Sequence, residues 1–272
     1  MTQSVFLQEI AGNLTDFDTV KDKINCRLIN ASQHAEELSG RPHTMVDDLA
    51  VTYHIEIGKS ERGSMTAPIT NMLMEQYGVD TKDLHTLALS NMEHLTPASF
   101  KGMSETMTEL LLPDAMSNGM SREEAEQVLQ DLFPQGQSEA MYVLSNKERL
   151  HGAAALLNES IMDEVTGKLG KEYYILPSSI HEVLIVPKTE GMDISDLKNM
   201  VCDVNATQVS PKERLSDNVY AYDAREHTLF RVDRMAERSQ EKKPSITGAL
   251  KNPLPDTGSH VVKPPVKGDG AR

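Results

Sequence analysis

Apolar side chains recur at spacings of four and three through Val20, Ile24, Leu28, Ala31, Ala35 and Leu38. That rhythm lays them along one face of a helix. It predicts a helix over 18–39, capped by Asp16 or Asp18 and stopped by Gly40 and Pro42. A shorter helix is expected over 5–14. The period then changes. Val51, Tyr53, Ile55 and Ile57 alternate with Thr52, His54 and Glu56, which predicts a strand over 49–57 with one buried and one wet face. A polar turn with two glycines spans 58–64, and 65–70 returns as the partner strand, where Pro68 suits a sheet edge. Helices follow over 71–77 and 83–95, the second capped by Asp80. Pro97, Pro113 and Gly119 weaken the pattern over 96–119, leaving a helix over 103–112. Ser121 and Glu124 have capping-box spacing ahead of a helix to Phe133.

Residues 134–138 read as a loop and as the boundary between two halves. Beyond it, 141–144 is a short apolar strand. Ser145 with Glu148 repeats the capping-box spacing and predicts a helix through Leu150, Ala154, Leu157, Ile161 and Val165, ended by Gly170. Strands over 173–176 and 183–186, a helix over 193–205 and a final hairpin of 219–222 with 228–232 complete the order β-α-β-β-α-β-β. Alternation of this kind, broken by hairpins, specifies an α+β fold: a mostly antiparallel sheet with helices packed on it. The expected organisation is a helical α+β subdomain over 1–134, the β-α-β-β-α-β-β subdomain over 139–235, and a disordered tail over 236–272. The tail holds five of the 13 prolines and no aromatic residue, too little apolar surface to offset its ordering entropy. Leu254-Pro255-Asp256-Thr257-Gly258 within it matches a sortase sorting signal. The polar residues after it lack the hydrophobic stretch such a signal needs, so the match is read as accidental.

Charge narrows the functional classes. The 272 residues carry a net charge of −14. Seven basic and four acidic residues make 236–272 +3, so 1–235 carries −17. A body of that sign repels phosphate backbones and anionic lipid, which argues against nucleic-acid binding by the body and against a membrane partner. No apolar run approaches the roughly 20 residues needed to span a bilayer. The first ten residues have no basic n-region of a signal peptide. Two cysteines are too few for a disulfide scaffold or a four-cysteine zinc site. A cytoplasmic protein is expected.

Several segments together resemble a known family. They are Met141-Tyr142-Val143-Leu144-Ser145-Asn146-Lys147-Glu148-Arg149 with Gly152-Ala153-Ala154, and Ile175-Leu176-Pro177-Ser178-Ser179-Ile180-His181-Glu182-Val183. Arg27-Leu28-Ile29-Asn30, Pro42-His43 before Asp48-Leu49-Ala50, Val204-Asn205, and Leu215-Ser216-Asp217 before Val219-Tyr220 extend the pattern. They resemble a bacterial family of unknown function, common in gut Firmicutes and often carried by conjugative or integrative elements. The resemblance spans about residues 18–232 and implies no activity. Relative to the family's usual preceding segment the chain reads as short at its N-terminus, as expected of a fragment or of a shortened member.

The densest group of reactive side chains is Ser178, Ser179, His181 and Glu182, on a turn between two predicted strands. Loops at strand ends are where rigid scaffolds present active groups. One reading is a hydrolase with Ser178 or Ser179 as nucleophile and His181 as base. Against it, adjacent residues on an extended chain point to opposite faces, so His181 and Glu182 diverge. No Gly-x-Ser-x-Gly elbow surrounds the serines. The plainer reading is a turn whose hydroxyls and imidazole satisfy backbone groups. His43, Asp48, Asn146 and Asp217 are further candidate polar positions. His181-Glu182 begins like a zincin motif but lacks the second histidine, so no metal site and no cofactor are predicted. The preferred reading is a non-catalytic accessory protein of mobile-element cargo that acts through an unknown protein partner. The hydrolase is the alternative, and the oligomeric state is left open.

Overall fold

The computed structural model describes residues 14–60, 63–134, 139–177 and 179–235. It is α+β, with two antiparallel sheets and helices packed on them. The first sheet is built around the long strand β3 (Leu49–Ser60). Strand β1 (Ile24–Asn30) pairs along one edge, from Ile24 opposite Ile55 to Asn30 opposite Leu49. Strands β2 (His43–Val46) and β4 (Gly63–Pro68) follow one another along the other edge. The β3–β4 hairpin and the edge position of Pro68 agree with the alternating pattern.

The helix expected over 18–39 is instead a short helix, α1 (Phe17–Val20), a 3-10 turn, β1 and α2 (Ala35–Ser39). Ile24 and Leu28 are four apart, but with Cys26 they also form a period of two. Pairing with β3 decides between the two rhythms, and it buries all three. The helix expected over 5–14 lies, except for its last residue, outside the described residues. The two helices after the first sheet are α3 (Asn71–Tyr77) and α4 (Thr81–Leu95). Asp80 and Asp83 form a capping box at the start of α4. Leu84, Ala88 and Met92 on this helix are buried. Cys26 Sγ lies 3.6 Å from Met92 Sδ, so α4 covers the face of β1 that carries Ile24, Cys26 and Leu28.

The second sheet takes its edge strand from the N-terminal half. That strand is β5 (Ala98–Gly102), and it pairs with β6 (Tyr142–Asn146). Strands β7 (Tyr173–Leu176), β8 (Val183–Pro187), β9 (Tyr220–Asp223) and β10 (Thr228–Arg231) complete it in the order β10-β9-β7-β8-β6-β5. The division placed at 134–139 is therefore crossed by the β5–β6 pairing. One apolar cluster also joins Ile24, Val51 and Tyr53 with Leu144, Ala153 and Ile175, and the described residues form one compact unit. Between β5 and β6 run α5 (Met103–Ser117) and α6 (Arg122–Leu132). The capping box of Ser121 and Glu124 opens α6 as the spacing predicts.

Ser145 does not cap a helix. It lies inside β6, and a 3-10 turn over Gly152–Leu157 precedes α7 (Glu159–Leu169), which is capped by Asn158. Gly152 explains the arrangement: a Cβ there would sit 2.5 Å from Asn146 N and 2.6 Å from His181 O. The small side chains of 152–155 press against β6 rather than continuing a helix from Ser145. On the opposite face of the sheet, α8 (Ile194–Thr207) buries Leu197 and Val201 against Tyr174, Leu176 and Val186. Among the described residues no helix is long and apolar enough to cross a membrane.

Candidate functional site

The Pro177–His181 turn is held along its length by the neighbouring segment. Ser216 N–H donates to Pro177 O at 2.9 Å, and Ile180 N–H to Glu213 O at 2.9 Å. Ser179 Oγ accepts from His181 N–H at 3.0 Å, while Ser145 Oγ donates to His181 O at 2.8 Å. The imidazole of His181 accepts at Nδ1 from His151 N–H, 3.2 Å away. An acceptor Nδ1 leaves the neutral ring's hydrogen on Nε2, which faces Glu213 Oε1 at 3.5 Å. His181 therefore spends its lone pair on backbone, and the Ser179 hydroxyl serves the turn's own N–H. Ser178 lies outside the described residues. Glu182 is half-buried beside the turn.

The other candidate positions go elsewhere. His43 Nδ1 is 2.9 Å from Arg41 O. The Asn146 side chain closes the next turn, with Nδ2 donating to Leu150 O and Oδ1 accepting from Leu150 N–H. Asp48, in the β2–β3 turn, accepts from Ser216 Oγ at 3.1 Å, from Asn218 Nδ2 at 2.9 Å and from the Tyr220 hydroxyl. Asp217 accepts from Asn205 Nδ2 at 2.6 Å, and the same amide donates to Ser216 O. Asp48 and Asp217 thus belong to a polar latch that ties the β2–β3 turn to the start of β9. No group of three or more His, Cys, Asp or Glu is placed to hold a metal ion among the described residues.

The seam between the two layers gathers residues that pattern reading passed over. On the face of the first sheet turned from α4, Arg27 stands opposite Thr52 and Asn25 opposite His54. Thr52 and His54, expected on a wet face, are 1% and 6% exposed. Thr52 Oγ1 and His54 Nε2 lie 3.1 Å apart, and Arg27 Nη2 donates to Thr66 Oγ1 at 2.6 Å. His151 completes the group, in a left-handed backbone conformation with φ 54° and its ring 5.5 Å from that of His181.

Burial, reinforced by the Arg27 charge, pushes His54 down to about 2 and His151 down to about 4. Burial, and then the neighbouring Arg41, lowers Arg27. Both imidazoles are neutral at pH 7, which suits hydrogen bonding rather than proton uptake. The one signal available in sequence was the run of polar positions Thr52, His54 and Glu56, whose burial depends on the second layer.

A second region stands out by its apolar exposure. Helix α5 buries only Thr106, and α6 buries only Ala125 and Leu129. Leu110, Met116, Met120, Val128 and Leu132 are exposed. Residues 103–132 hold seven carboxylates and a single basic residue, Arg122. Glu105 and Glu109 pair with Lys101, Glu109 also pairs with Arg149, and Glu126 pairs with Arg122.

The model of a family of unknown function, DUF5688, matches residues 4–224. The chain belongs to that family. The match runs from before α1 to just past β9, so it takes in both sheets, the seam and the α5–α6 hairpin. No curated protein and no solved structure matches the chain.

Proposed function

We propose that this DUF5688 protein is a non-catalytic cytoplasmic interaction protein that docks a basic amphipathic helix of a partner on its α5–α6 hairpin. The observation that carries the reading is the exposure of Leu110 and Met116 on α5, Met120 in the turn, and Val128 and Leu132 on α6, in a segment rich in carboxylates. An exposed apolar patch rimmed by charge is a binding surface in the helix-in-groove mode. The surplus of carboxylates selects a basic partner and repels an acidic one, including a second copy of this acidic chain. The state of His181 supports a binding role, since its Nδ1 lone pair accepts a backbone hydrogen bond. The setting we infer, accessory cargo of a mobile genetic element, rests on the family resemblance alone.

The test is calorimetric titration with a designed Leu/Lys amphipathic helix, against the wild type and a Leu110→Ser, Val128→Ser, Leu132→Ser variant that keeps every charge. We expect the variant to bind at least about tenfold more weakly, a loss of about 1.4 kcal/mol. Equal binding would show simple charge attraction and overturn the reading. A wild-type dimer in sedimentation that the same variant abolishes would replace the partner with a second copy.

A further inference from the structure

Asn25, Ser64 and His151 line one pocket at the seam, and each carries a buried polar atom without a hydrogen-bond partner: Asn25 Oδ1, Ser64 Oγ and His151 Nδ1. Asn25 is only 6% exposed, so bulk water does not reach its side chain freely. Leaving three such atoms bare in a folded protein is costly, and each calls for an occupant. The pocket measures about 20 Å³. A cavity of about 10–15 Å³ suffices for one water, provided it offers two to four polar partners. The walls carry both signs of charge, from Arg27 and from Glu56 and Glu148. Mixed walls favour a neutral occupant over an anion or a cation. Thr66 also lines the pocket, but its hydroxyl already accepts from Arg27.

We propose that this pocket is a specific hydration site, where one ordered water joins β1 and β4 to the turn at His151. The water donates one hydrogen to Asn25 Oδ1 and the other to His151 Nδ1, and it accepts from the Ser64 hydroxyl. This requires His151 to carry its own hydrogen on Nε2, so the water also selects the tautomer. The site is independent of the docking surface on α5–α6. It makes hydration part of the joint between the two layers.

High-resolution crystallography of the wild type and oxygen-17 relaxation dispersion test it together. We expect one well-ordered water within about 3 Å of all three atoms. We also expect the count of long-lived internal waters to fall by one in Asn25→Leu, whose side chain fills the pocket. Ser64→Ala removes one partner and is expected to shorten the residence time of that water about tenfold. If Asn25→Leu does not fold, the wild-type density and the Ser64→Ala residence time decide. An empty pocket, an unchanged water count in a folded Asn25→Leu protein, or density and elemental analysis showing a metal or an anion would overturn the proposal.

Discussion

At the seam between the layers, Thr52 and His54 lie almost wholly buried, while on the α5–α6 hairpin Leu110 and Leu132 stand 51% and 64% exposed. The two regions invert the ordinary sorting of side chains in opposite senses. The seam tolerates polar groups because most of them are bonded: Thr52 with His54, Arg27 with Thr66, His151 N–H with His181. Burial without such partners would be destabilising. The hairpin tolerates apolar groups because α6 is anchored chiefly through α5, and Leu110, Val128 and Leu132 lie outside the main core. One inversion is structural, joining layer to layer; the other faces solvent.

The sharpest way to break the seam is Gly152→Ala. Its Cβ would press on Asn146 N and His181 O, backbone atoms that cannot swing aside. We expect a loss of about 3 kcal/mol or more, read by urea denaturation. A loss below about 1 kcal/mol would mean that the turn at 150–152 shifts freely.

Acid probes the same region more gently. His54 and His151 have folded values below the ordinary 6.5, so the unfolded chain binds more protons than the folded one as pH falls past 6.5. Stability then drops on acidification and recovers as pH rises. For His54 the drop is roughly 2 kcal/mol between about pH 6.5 and 5, and His151 adds a similar drop over that window, the two diverging only below about pH 4, where His151 takes up its proton in the folded state as well. The His54→Gln protein should show a flatter pH dependence over that window. An identical slope in both proteins would mean that His54 titrates normally.

The hairpin should be nearly indifferent to the loss of its exposed row. Leu132→Ser is expected to change the unfolding free energy by no more than about 0.5 kcal/mol. Leu129→Ala, one turn away and 4% exposed, should cost about 2–3 kcal/mol. A large effect at Leu132 would place it in a core contact and remove it from the docking surface.

Local signals were legible wherever the deciding contacts lie a few residues apart. The capping boxes of Asp80 with Asp83 and Ser121 with Glu124 close within one turn. The β3–β4 and β7–β8 hairpins join neighbouring segments; β3 shows as apolar alternation, and β7 and β8 as short apolar runs on either side of a Pro-Ser turn. Two misreadings came from signals that fit more than one partner. Ile24 and Leu28 satisfy a helical and a strand spacing alike. Ser145 with Glu148 has the spacing of a cap, yet its hydroxyl is claimed by His181 O, 36 residues away.

The sequence by itself determined the α+β class, the order of elements in the second half and the acidic character of the body, because periodicity, capping and charge are properties of short stretches. Tertiary structure alone decided that 24–30 is a strand, that β5 closes the second sheet, and that Asn25, Arg27, His54 and His151 meet at one seam. Those outcomes depend on pairings across 19 to more than 100 residues, and nothing in the local chain records which distant surface will cover a polar face.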